Sequence, residues 1–270
     1  MPVVQPSRKK QLPRQKPLKG RSFLALALIM VLFLIFTGGK QVSNITSSHS
    51  QKNDNSFNKK QNSVNDPNSI WAIANKGRAL SGTYTPSDLV VPNVPLRLNS
   101  SASEMQLRSS AASALQRMFS TASTQGIHLM LASGYRSYDE QVSLYSGYVS
   151  SQGQQSADSS SARPGFSEHQ LGLSADVEPA SRKCEVAACF ADTVEGKWIA
   201  ANAYKYGFVI RYPKGKESLT GYEYEPWHVR YVGTNLATQI QKSGQTLEQY
   251  FNLPTYSDYA ASPYTLTAGK

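Results

Sequence analysis

Two short stretches place a histidine beside a carboxylate, and together they use two of the chain's four histidines. In "SEHQLGLSADV", Ser167 to Val177, His169 lies seven residues before Asp176; in "YEPWHVRYVG", Tyr224 to Gly233, Glu225 lies three residues before His228. Gly172 breaks the first run, so His169 can sit on a turn while Asp176 sits on the strand that follows, both aimed at one spot. Adding His228 gives two imidazoles and one carboxylate, a donor set suited to Zn²⁺ with a fourth position open to water. Glu225 is then the candidate general base, because zinc brings a water's pKa toward neutral and a nearby carboxylate can take its proton. A lone Glu-x-x-His is as readily a buried histidine beside a surface acid; the coincidence of both pairs sharpens the signal.

These residues need elements to hold them. "LGLSADVE" reads as a strand carrying Asp176, and "FVIRYP" and "YEPWHVRYVG" as two more, the last carrying Glu225 and His228. "IHLMLAS", 127 to 133, is also strand-like, and His128 within it reads as a packed or rim histidine. Ser101 with Glu104 has the spacing of a helix capping box, followed by Leu107, Ala111, Leu115, Met118 and Ala122 on one face and a stop at Gly126. Ser137 with Glu140 repeats the signature for a helix to about Ser151. Residues 152 to 166 read as a long polar loop, Asp192 with Glu195 as the cap of a third helix closed by Gly207, and Asn235 to Lys242 as a last helix. Helices and short strands without a βαβ rhythm predict an α+β fold around an antiparallel sheet.

The ends are of different composition. Residues 1 to 21 carry seven Lys or Arg and no acid, which is seven of the ten net positive charges. With the excess confined to one arm, the high pI is no nucleic-acid footprint, and no nucleic-acid partner is expected. Phe23 to Phe36 follow as fourteen apolar residues without a charge. The segment over 22 to 39 therefore reads as a signal anchor, or as a signal cleaved to release the protein, with the arm cytoplasmic and all that follows outside. Residues 40 to 69 are Ser, Asn, Gln and Lys with almost no large apolar side chain, the composition of a disordered linker, and His49 within them reads as inert. The folded domain is expected over 70 to 253, with a disordered tail over 254 to 270. Cys184 and Cys189, the chain's two cysteines, read as a candidate small-loop disulfide rather than a metal pair, since C-x4-C fits no common zinc pattern. Oligomeric state stays open.

At this point the chain resembles a known family, the VanY-type zinc D-alanyl-D-alanine carboxypeptidases, within a wider group that includes lysostaphin-type peptidases and the Hedgehog signalling domain. The pattern S-x-H-x-x-G-x-(A/S)-x-D is matched by Ser167, His169, Gly172, Ser174 and Asp176, and E-x-W-H by Glu225, Trp227 and His228. A third block, S-G-Y-R-S followed by Gln, stands as "SGYRSYDEQ" with Arg136 and Gln141. The resemblance implies a Hedgehog/DD-peptidase-like fold and one zinc ion on His169, Asp176 and His228. It implies hydrolysis of the last bond of a peptidoglycan stem peptide by a D,D-carboxypeptidase. Glu225 would be the base, Arg136 would meet an oxyanion or a terminal carboxylate, and Gln141 and Ser167 would orient the peptide. The alternatives are an L,D-carboxypeptidase or endopeptidase on the same metal set, or a non-catalytic wall-binding module that keeps zinc for structure.

Overall fold

The computed structural model describes residues 57–269; the arm over 1–21, the apolar segment over 22–39 and the linker before residue 57 lie outside them. In chain order the elements are β1 (Arg78–Ala79), β2 (Leu89–Val90), β3 (Leu107–Arg108), α1 (Ser109–Thr124), β4 (Leu129–Ser133), α2 (Tyr138–Gln152) and α3 (Gln154–Ser160). There follow β5 (Ser174–Pro179), α4 (Val194–Asn202), β6 (Phe208–Tyr212), α5 (Glu217–Thr220), β7 (Glu225–Tyr231), α6 (Thr234–Ser243), α7 (Leu247–Tyr250) and β8 (Tyr264–Thr265).

An antiparallel sheet of order β4-β5-β7-β6 organises the domain, as the sequence predicts. Strand alternation divides its two faces. Leu131, Ala175, Val177, Phe208 and Val229 join a core with Leu115 and Met118 of α1 and Ile199 of α4. Ser174, Asp176 and Glu178 alternate with those core residues along β5, and His228 and Arg230 alternate with Val229 along β7, all of them buried polar groups. A second apolar cluster gathers Trp71, Ile73 and Val209 against α6 and α7.

Several local signals resolve differently from their sequence reading. The Ser137–Glu140 capping box forms at the start of α2. The Ser101–Glu104 box does not: a 3-10 turn takes up Ser103–Met105, Gln106 returns to extended backbone, and α1 starts only at Ser109 with no side-chain cap. Leu107 is drawn into β3 by pairing with Val90. Thr193 rather than Asp192 caps α4, accepting from the Gly196 N–H at 2.9 Å. The polar stretch 152–166 contains a short helix, α3.

The tail expected to be disordered is folded. β8 pairs in parallel with β1, Leu266 is buried, and the Tyr256 ring lies so close over Gly77 that an added Cβ there would come within 2.1 Å of it. Ordered packing also starts before Ile70, with Phe57 stacked on Trp71 at 5.4 Å. Both corrections have one cause: aromatic side chains in polar segments bury themselves against partners far away in sequence.

Candidate active site

Asp176 and His228 face one another across β5 and β7, where their Cα atoms are register partners. His169 arrives from a 3-10 turn, Glu168–Leu171, capped by Ser167, whose Oγ accepts from the His169 N–H. The turn ends at Gly172 with φ 65°; a Cβ there would also come within 2.9 Å of Leu89, so both backbone and space demand glycine. The Gly134 carbonyl can only accept, so the His169 Nδ1 at 2.5 Å donates to it and Nε2 turns its lone pair to the site. That Nε2 lies 3.4 Å from one Asp176 oxygen, and His228 Nδ1 lies 3.4 Å from the other.

One ligand atom from each of the three residues lies within 4.8 Å of the others, and all three residues are buried. Asp176 Oδ1 has no hydrogen-bond partner despite its burial. Lone pairs converging on one point, with a buried carboxylate oxygen left unpaired, are the chemistry a divalent cation satisfies.

Glu225 reaches the same place through an irregularity. Ile210 pairs with Val229, yet two residues on, Tyr212 pairs with Glu225, so four steps of β7 oppose two of β6. Pro226 sits inside this bulge, where its missing N–H breaks no ladder. Glu225 Oε2 ends 3.3 Å from His228 Nδ1.

Charges in the site are strongly coupled. Burial opposes ionisation of Asp176, but the two imidazoles outweigh it and hold the carboxyl far below its usual range. Burial raises the Glu225 carboxyl, against the hydrogen bond from His228. His169 is lowered, by burial first and then by Arg136 and His228 against the pull of Asp176. His228 meets two carboxylates, and these overcome burial to raise it to about 9.

A cleft of about 410 Å³ opens over these groups and is also lined by Arg136, Gln141 and Ser167. The Arg136 guanidinium donates to Gln141 Oε1 at 3.0 Å and to Ser133 Oγ at 2.9 Å. Gln141 Nε2 in turn donates to the Ala162 carbonyl at 2.7 Å. The seven residues singled out for metal binding, catalysis and orienting the peptide thus share one cleft. Ser133, Ser161 and Tyr212 line it as well and were not singled out, although Ser133 opens the "SGYRS" block. His128 lies in a different hollow.

Two structures support the site: an ion network that went unread in the sequence and the disulfide expected from it. Behind the metal centre, Glu168 bridges Arg211 at 3.0 Å and Arg230 at 2.8 Å, and Arg211 also pairs with Glu248. This ion network, buried throughout, ties the His169 turn to β6 and β7. At the rim, Cys184 and Cys189 are disulfide-bonded, and Glu185 and Val186 of the loop they close line the cleft. Arg97 holds Glu185 at 2.9 Å.

Residues 104–234 match the sequence model of the family VanY, D-alanyl-D-alanine carboxypeptidase. YodJ of Bacillus subtilis (strain 168), a carboxypeptidase by name, is 47% identical over 188 residues, 70% of this chain and 69% of the relative. The chain belongs to the VanY family. A D-alanyl-D-alanine carboxypeptidase of Enterococcus faecalis (strain ATCC 700802 / V583) is 39% identical over 51% of this chain, which spans about half of that relative's length (53%). Among solved structures, the LD-carboxypeptidase LdcB is 47% identical with a TM-score of 0.66, over 70% of this chain and 89% of the other. VanYB, solved with D-alanine-D-alanine, is 30% identical with a TM-score of 0.56, over 67% and 96%. A VanY D,D-pentapeptidase point mutant solved with Zn(II) is 31% identical with a TM-score of 0.55, over 67% and 97%. This VanY-type chain has the Hedgehog/DD-peptidase-like fold and is a zinc metallocarboxypeptidase, with His169, Asp176 and His228 as the donor set that fits the ion.

Proposed function

We propose that the protein removes the C-terminal D-alanine from peptidoglycan stem peptides, hydrolysing a D,D bond. The observation that carries the mechanism is a buried carboxylate, Glu225, 3.3 Å from a ligand histidine in a cleft that also holds a guanidinium. Zinc on His169, Asp176 and His228 supplies Lewis acidity, polarising a carbonyl and acidifying a water. Glu225 takes a proton from the attacking water and delivers it to the departing amine; burial raises its pKa toward the value such a shuttle needs. Arg136, fixed by Ser133 and Gln141, offsets the charge that develops on the carbonyl oxygen. Gln141 and Ser167 orient the peptide by neutral hydrogen bonds.

Mass spectrometry of purified muropeptides tests this. Loss of one alanine that stops with chelator and with Glu225→Gln is the expected result; intact peptides with zinc bound would return the protein to the wall-binding class. An L,D reading, in which the bond cut follows an L residue, is favoured by the higher identity and TM-score to LdcB than to VanYB. Consumption of tetrapeptide in place of pentapeptide decides for it. The substrate lies beyond the bilayer, and the basic arm and apolar segment before residue 40 fit an anchor with the domain outside. Protease accessibility of the domain on intact cells, with the mass of the mature N-terminus, tests that placement and whether the anchor is cleaved.

A further inference from the structure

The tail returns to the domain at Tyr259, close to the cleft. Its ring is fixed by edge contact with Phe166 at 5.0 Å and by the Arg163 guanidinium 4.1 Å above it. Its backbone is pinned nearby: Ala260 N–H donates to the Lys76 carbonyl at 3.0 Å, and Lys76 Nζ donates to the Ser257 carbonyl at 3.2 Å. The hydroxyl accepts from the Arg163 N–H at 2.7 Å. That N–H belongs to the same peptide group as the Ala162 carbonyl, which accepts from Gln141 Nε2 at 2.7 Å. Gln141 Oε1 accepts from Arg136 at 3.0 Å. An unbroken row of donors and acceptors therefore runs from Tyr259 through one peptide group and one side-chain amide to the cleft arginine. Each member polarises the next, and an amide bonded at both ends is held in orientation as well as position.

We propose that Tyr259 is a positioning residue for catalysis, setting the Arg136 guanidinium through the Ala162–Arg163 peptide and Gln141. The inference rests on the role given above to Arg136. Burial pushes the Tyr259 hydroxyl up to about 12, so it keeps its proton over the working range and its oxygen serves as a neutral acceptor. The other contact of that oxygen is Tyr222, 3.4 Å away and itself at the cleft.

The test is a cycle on the full chain, loaded with zinc, following D-alanine release. Tyr259→Phe keeps the ring contacts and removes the acceptor; Gln141→Met cuts the row further along. Tyr259→Phe is expected to lower kcat about tenfold through a displaced Arg136, with KM and zinc content nearly unchanged and the melting temperature lower only by the few degrees that one part-buried N–H left unpaired costs. In the Gln141→Met background it should have no further effect. Unchanged kcat in the single variant, a loss that follows zinc content or melting temperature, or a full tenfold loss persisting beside Gln141→Met would each overturn the proposal. The last of these would route the effect through Tyr222. Arg136→Ala is read separately: full activity there refutes the role of Arg136 itself, whatever Tyr259 does.

Discussion

Replacing Glu168 with glutamine changes one buried charge and almost no volume. Its side chain has no exposed surface and lies between Arg211 Nε at 3.0 Å and Arg230 at 2.8 Å. Two guanidiniums and the carboxylates of Glu168 and Glu248 balance. Without the Glu168 charge, Arg211 keeps Glu248, but Arg230 is left with no carboxylate: it has the backbone carbonyls of Ile70, Ala72 and Tyr231 and competes with Arg211 for the one neutral amide oxygen, whose NH2 neighbour faces a second donor. Removing one partner of a buried pair costs about 3–5 kcal/mol, set against a total stability of about 5–15 kcal/mol. For a domain of this size each kcal/mol is roughly 2–4 °C, so Glu168→Gln should melt about 6–20 °C lower. Circular dichroism melts at saturating zinc and with chelator measure this. Because Glu168 begins the turn that carries His169, a competitive zinc titration should also show weaker binding. A fall under about 3 °C with zinc affinity unchanged would refute the argument that this network holds the turn.

Glu225→Gln should lower kcat by about 10²–10⁴-fold while one zinc per chain remains bound, by metal analysis beside turnover. Since burial raises the Glu225 carboxyl and the base must be ionised, kcat/KM should fall as pH drops through a value above the ordinary 4.5. That acid limb should be missing from the residual activity of Glu225→Gln. His228 without metal sits at about 9 and is protonated at neutral pH, so zinc uptake should release a proton and affinity should climb as pH rises toward that value. Calorimetry in two buffers of different ionisation enthalpy counts the proton. Reduction of the Cys184–Cys189 bond frees the loop bearing Glu185 and Val186, which should raise KM a few-fold with kcat held, by steady-state kinetics on the reduced, zinc-saturated enzyme.

The site was legible because zinc chemistry restricts residue type and spacing. His169, Asp176, His228 and Glu225 could be read from two short stretches, and Arg136, Gln141 and Ser167 from the blocks that resemble VanY. The antiparallel sheet followed from strand patterns without a βαβ rhythm. What escaped reading depends on partners far off in sequence. Nothing local marks Arg211 in "FVIRYP" as buried, because its neutralising carboxylates stand at 168 and 248. The tail is polar and proline-containing, yet Tyr256, Tyr259 and Leu266 find burial against residues 76 to 79 and 163 to 166. Local signals failed where a stronger local competitor existed: the Ser101–Glu104 spacing met a 3-10 turn, and Asp192 lost its cap to the neighbouring Thr193.

The bulge between Glu225 and His228 bears on how portable this chemistry is. On a regular strand, residues three apart point to opposite sides of the sheet, so Glu-x-x-His copied onto a flat strand would place the acid on the wrong side of the metal. Here Pro226 and the slipped pairing with β6 bring both to one side. A transplant must therefore carry the whole irregular segment together with its partner strand. By the same reasoning a one-residue insertion or deletion between 225 and 228 should abolish turnover, whereas equal length changes in the exposed Lys214–Gly215 turn should be tolerated.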